Sequence, residues 1–129
     1  MLQDLEKLRL MDTKLNGEIP KGIGELSKLT NFYVFSDSFG GKLPPKMGSN
    51  GLLQRLDISR NSLQGSMPMY ICRGNNLVTL NLFNNKLNNT LPTITCQLQL
   101  PHQVCIESKN FTGSIPQALT MLPNFLIYI

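Results

Sequence analysis

The stretch LQRLDISRNSLQGSMP, Leu53–Pro68, sets the pattern that the rest of the chain repeats: Leu53, Leu56, Ile58, then Asn61, Leu63, Gly65 and Pro68. Anchored on its proline, the same residue type returns at Pro20, Pro44, Pro92 and Pro116, so that neighbouring members stand 24 positions apart. A period of this length, kept without insertion, marks a stacked array in which stability comes from repeat-to-repeat contacts. Within each repeat, apolar and variable residues alternate over the LxL run, the period-two signature of a short strand with one buried face. The expected fold class is therefore an α/β solenoid, a right-handed array with one short strand per 24-residue repeat in a parallel sheet, followed by short helical turns.

The period turns sequence arithmetic into spatial columns. Two buried columns from the strands are predicted: Leu8, Phe32, Leu56, Leu80, Val104, and Leu10, Val34, Ile58, Leu82, Ile106. Leu15, Phe39, Leu63, Leu87, Phe111 and Ile19, Leu43, Met67, Leu91, Ile115 are predicted to fill the interior behind them. The column Thr13, Asp37, Asn61, Asn85, Lys109 marks the place where the strand turns away, a task that needs a short side chain able both to donate and to accept. Asp37 can only accept and Lys109 can only donate. A glycine column, Gly17, Gly41, Gly65 and Gly113 with Asn89 as the odd member, is expected at positive φ before each proline. The prolines then start helical turns carried by Ile23, Met47, Ile71 and Leu119. The fourth repeat breaks this column at Thr95 and puts Pro101 at an apolar position, so TITCQLQLPHQ is expected to be the least regular segment.

The consensus LxxLxLxxNxLxGxIP resembles the plant-type leucine-rich repeat, and the resemblance covers nearly all of residues 1–129: five repeats and the start of a sixth at Phe125–Ile129. With no capping segment at either end, the chain reads as a fragment of a longer ectodomain.

Composition narrows the function. The net charge of +4 comes from 12 basic and 8 acidic residues scattered without a like-charge run, which argues against a nucleic-acid partner. The chain shows neither an apolar segment of membrane-spanning length nor a signal peptide. His102 is the only histidine and belongs to no Ser/Asp or Cys/His constellation. There is no phosphate loop, kinase triplet or paired-cysteine metal spacing, so no enzyme activity, metal or cofactor is expected of this chain. Cys72 and Cys96 stand 24 apart and stack in adjacent rungs, as a disulfide or as two partly buried thiols. Asn88 and Asn110 open N-glycosylation acceptor triplets.

Residues alternating with the buried strand positions face outward on the concave side. Among them Arg9, Tyr33, Phe35, Arg55, Asp57, Asn81, Phe83, Gln103 and Cys105 are the candidate ligand contacts, with Asn31 and Ser59 at further outward positions. Aromatics, arginines and amides are the usual anchors of peptide and protein interfaces. The phrases GSNGLL at Gly48, ICRGNNL at Ile71 and LFNNK at Leu82 are similar to those of plant leucine-rich-repeat receptor kinases for CLE peptides, above all the TDIF receptor group. That resemblance implies the extracellular side of the plasma membrane, a separate cytoplasmic serine/threonine kinase, a peptide or protein ligand, and a co-receptor with leucine-rich repeats. It also implies an Arg-x-Arg clamp for the peptide carboxylate, where this chain has Gln103 and Cys105. The alternatives are a secreted inhibitor resembling polygalacturonase inhibitors, or a decayed receptor paralogue. An ice-binding solenoid would need one short polar residue repeated along a face, and Arg9, Tyr33, Asp57, Asn81, Cys105 is not such a column.

Overall fold

The structure, a computed structural model, describes residues 2–87 and the backbone of two further strands, 103–105 and 126–128. Its strands are β1 Lys7–Met11, β2 Asn16–Glu18, β3 Asn31–Phe35, β4 Ser38–Gly40, β5 Arg55–Asp57, β6 Gln64–Gly65, β7 Thr79–Asn81, β8 Lys86–Leu87, β9 Gln103–Cys105 and β10 Leu126–Tyr128. Six of them form one parallel sheet in the order β1-β3-β5-β7-β9-β10. As far as β9, partners stand one repeat apart, so that Leu8, Phe32, Leu56, Leu80 and Val104 pair in succession. The parallel solenoid read from the 24-residue period is the observed fold.

The columns fill the interior as the pattern requires. Phe32, Val34, Leu56, Ile58, Leu63, Leu82 and Leu87 are buried together with Met47, Leu53, Ile71 and Leu77 from the turns. At roughly 2 kcal/mol for each large aliphatic side chain removed from water, these contacts offset the ordering of rungs that could not fold singly. Leu15 departs from its column and is 43% exposed, and Leu8 and Leu10 of the same rung are half-buried, whereas Ile19 is buried as expected.

The three column prolines among the described residues start their turns as expected: the carbonyls of Pro20, Pro44 and Pro68 accept the N–H groups of Ile23, Met47 and Ile71 at 3.0, 3.0 and 3.3 Å, while Pro92, Pro116 and Leu119 lie outside the described residues. These are i to i+3 turns, and the helical segments among the described residues are 3-10, at Leu2–Asp4, Lys21–Glu25 and Arg73–Asn75. Gly17, Gly41 and Gly65 of the glycine column run at positive φ, with Gly17 at 93°, and Asn89 and Gly113 lie outside the described residues. A second positive-φ column, Asp12, Ser36, Arg60 and Asn84 at 52–59°, turns the chain after β1, β3, β5 and β7 and has no glycine in it.

Two features depart from a single 24-residue ladder. Short ladders β2-β4 and β6-β8 form beside the main sheet, and their partners stand 22 apart, as in Gly17↔Phe39 and Gly65↔Leu87. The bridge Lys42↔Gln64 carries the same stagger. The last strand slips by one: Leu126 pairs with Gln103 and Ile127 with Val104, a 23-residue step. The segment expected to be least regular lies outside the described residues up to position 102, as do Lys109, Cys96, Asn88 and Asn110.

The asparagine ladder works as its chemistry demands. Asn61 Nδ2 donates to the carbonyls of Val34, Ile58 and Ser59, and its Oδ1 accepts from the N–H of Phe39. Asn85 repeats this on Ile58, Leu82, Phe83 and Leu63. Asp37 accepts twice from Thr13, through N and Oγ1 at 2.9 Å, and its buried Oδ2 has no donor. Cys72 is buried and disulfide-bonded.

Candidate ligand-binding face

Parallel pairing in register places the residues that alternate with the core side by side on the outer face of the sheet. Arg9, Tyr33, Asp57, Asn81 and Cys105 form one row, and Lys7, Asn31, Arg55, Thr79 and Gln103 form another. Both rows are those the period predicts. Of Gln103 and Cys105 only the backbone is described, in β9 next to Thr79 and Asn81.

Arg9 is exposed and its guanidinium lies 5.0 Å from the centre of the Tyr33 ring. The Tyr33 hydroxyl accepts from Asn31 Nδ2 at 3.0 Å. Asn31 is therefore 4% exposed, and it orients the tyrosine rather than presenting itself to a ligand as its outward position suggested. Ser59 is likewise buried: β5 ends at Asp57, and Ser59 folds back to donate from N and Oγ to Asp57 Oδ1 at 3.0 and 2.7 Å. Asp57 Oδ2 accepts from Asn81 Nδ2 at 3.2 Å, joining β5 to β7 on the outer face. Asn81 Oδ1 is buried without a partner. Arg55 is exposed at the start of β5.

Phe35 and Phe83 stand at the C-terminal edge of the sheet and wall a recess of about 290 Å3 that also takes in Asp12, Asp57, Arg60 and Asn81. Arg60 reaches over Phe83, with its guanidinium 5.5 Å from the ring centre. The face thus brings together Phe35, Asp57, Asn81 and Phe83 of the predicted contacts, with Arg9 and Tyr33 as a separate stacked pair. Asp12 and Arg60 belong to the same recess but lie beyond the strands; the signal for them was their shared place in the repeat, one step after the outward column. A larger groove of about 860 Å3 runs beside the second ladder, between Lys42, Gln64, Met67, Met69 and Lys86. The larger groove has no aromatic residue in its lining, whereas the smaller recess gathers charged, amide and aromatic groups from four rungs.

Among the described residues no cluster of His, Cys, Asp or Glu could hold a metal ion, and no helix is long and apolar enough to cross a membrane.

The Leucine Rich Repeat family model matches residues 52–73 and 76–98. No curated protein matches the chain. Among solved structures, it is similar to the plant peptide hormone receptor RGFR1 in complex with RGF2, at TM-score 0.81 and 30% identity over 95% of this chain and 20% of that one. The leucine-rich-repeat ectodomain of the Arabidopsis receptor kinase HAESA with an extended IDA peptide hormone gives TM-score 0.79 and 36% identity over 91% of this chain and 20% of that one. A plant ice-binding protein gives TM-score 0.76 and 26% identity over 95% of this chain and 42% of that one. The chain spans about a fifth of each receptor chain. One repeat architecture therefore serves two unrelated functions, and the residues on its face must decide between them. The heterogeneous row Arg9, Tyr33, Asp57, Asn81 lacks the single repeated residue of an ice-binding array. The chain carries leucine-rich repeats, and its solenoid is similar to the ectodomains of plant leucine-rich-repeat receptor kinases.

Proposed function

We propose that this chain is a recognition module, without chemistry of its own, whose outer sheet face binds an extended peptide or a protein segment. The observation that carries the reading is the register that aligns Arg9, Tyr33, Asp57 and Asn81 across successive strands, with Phe35 and Phe83 flanking a recess at the sheet edge. Rigid aromatic and arginine anchors beside fixed polar groups are what a peptide groove needs. The complexes of RGFR1 with RGF2 and of HAESA with IDA support the peptide class of ligand.

The parent protein in this reading is a receptor-like kinase or receptor-like protein with this segment on the extracellular side of the plasma membrane, a co-receptor, and glycans at Asn88 and Asn110. Within that class, the likeness to CLE-peptide receptors of the TDIF group is the finer proposal. Gln103 and Cys105 stand where its arginine pair would be, so a ligand held by its C-terminal carboxylate is not expected.

Selection of random twelve-residue peptides displayed against the whole chain tests the reading. Tyr33→Ala and Phe83→Ala should each weaken a selected peptide by about tenfold or more, and Lys42→Ala, beside the second ladder, should leave it unchanged. Binders indifferent to both aromatic substitutions, or lost with Lys42→Ala, would place the ligand elsewhere and end the proposal.

A further inference from the structure

We infer that the recess walled by Phe35 and Phe83 accepts a cationic side chain, a guanidinium or an ammonium, from the peptide proposed to lie on this face; the inference rests on that reading. Two carboxylates, Asp12 and Asp57, line the recess. Neither has an ion-pair partner, since the pairs among the described residues join Lys28 to Asp4 and Lys46 to Glu25. Arg60, the nearby cation, lies over the Phe83 ring rather than on a carboxylate. Its single charge leaves the recess acidic on a chain whose formal charge is +4.

Hydrogen bonding points the same way. Asp57 Oδ1 takes both Ser59 donors and Oδ2 takes one from Asn81, so a carboxylate with about four acceptor sites keeps room for more. Asn81 Oδ1 has no donor at all. Both carboxylates keep acceptor capacity, and Arg60 is the one cation among the described residues of the lining. A guanidinium or ammonium supplies donors and opposite charge together, and charge-assisted bonds are the strong ones. The Phe35 ring adds an aromatic wall that attracts a cation, while the Phe83 ring already carries Arg60. At about 290 Å3 the space sits at the lower edge of small-ligand pockets and suits one side chain. An acidic side chain would meet two carboxylates, and an apolar one would leave their remaining acceptor sites unanswered.

The test is an amide NMR titration of the full chain with three blocked tripeptides: Gly-Arg-Gly, its neutral citrulline counterpart, and Gly-Glu-Gly. The arginine probe should give saturable shifts at Phe35, Asp57, Asn81 and Phe83. The citrulline probe should bind about tenfold more weakly, as loss of a charged bond implies, and the glutamate probe should not bind. Asp12→Asn should weaken the arginine probe to a similar degree, and asparagine tolerates the positive φ at that position. Asp57→Asn should do the same while keeping an acceptor for Ser59, and Asp12→Asn alone decides the matter if the other variant does not fold. Equal binding of citrulline, a preference for glutamate, shifts confined to other residues, or no shift by about 10 mM probe would each overturn the inference. Selected peptides that need Tyr33 and Phe83 but carry no cation would sink it and leave the proposed function standing. A saturable arginine response without any selected peptide would do the reverse.

Discussion

Replacing Asp37 by asparagine should stabilise the solenoid. Asn61 and Asn85 each turn an amide toward three carbonyls, two in their own rung and one in the rung before. Asp37 occupies the same column and has no proton to give. Its Oδ1 is satisfied by Thr13, but Oδ2 is buried without a donor, and by the repeat the groups an amide here would meet are the carbonyls of Leu10, Val34 and Phe35. A buried acceptor left unmet costs about 1–3 kcal/mol, and a neutral hydrogen bond made in its place returns about 1 kcal/mol. Against this, the two exposed bonds from Thr13 weaken when their acceptor loses its charge. The net expected gain is about 1–2 kcal/mol. In urea denaturation followed by far-ultraviolet circular dichroism, with m near 2 kcal/mol/M, the midpoint should rise by roughly 0.5–1 M at unchanged slope. The mirror substitution, Asn61→Asp, should lower it, since it removes three donated bonds at once. An unchanged or lower midpoint for Asp37→Asn would show that Oδ2 is not an unmet acceptor and that the ladder gains nothing from an amide there.

Two further substitutions probe the turns. Gly74→Ala should destabilise far more than Gly17→Ala: both positions have positive φ, but a methyl at Gly74 would lie 2.0 Å from the carbonyl oxygen of Gly51, whereas at Gly17 nothing lies within 4 Å. The expected losses are above about 3 kcal/mol for the first and about 1–2 kcal/mol for the second, and equal midpoint shifts would refute the packing argument. At Ser36, φ 57°, asparagine should stabilise and valine should destabilise relative to serine, each by about 0.5–2 kcal/mol because of their tolerance for the left-handed region; thermal melts in any other order would contradict it.

Leu56, Phe32 and Leu80 could be placed together from the sequence alone, and so could the row Arg9, Tyr33, Asp57 and Asn81. The reason is geometric: in a parallel array of constant repeat length, a fixed sequence offset is a fixed displacement of one rung, so periodicity specifies neighbours directly. The glycine column, the proline-started turns and the hydrogen-bonding role of Asn61 followed from single-residue chemistry repeated at that offset. Where two structural rules competed, the period was silent. The second ladder pairs at an offset of 22, and β10 slips by one from the 24-residue step, registers that the period does not encode. Alternation placed Asn31 and Ser59 outward, yet each is drawn into a local hydrogen bond and buried, a choice made by rotamers and strand ends that no period encodes. The recess is of this second kind. Asp12 and Arg60 join it from turns beyond the strands, and its unanswered acceptors exist only because Asp57, Ser59 and Asn81 satisfy one another unequally in three dimensions. The sequence by itself determined which residues stack upon which, since stacking is arithmetic; the tertiary structure alone decided which polar groups were left without partners, since that depends on where each side chain comes to rest.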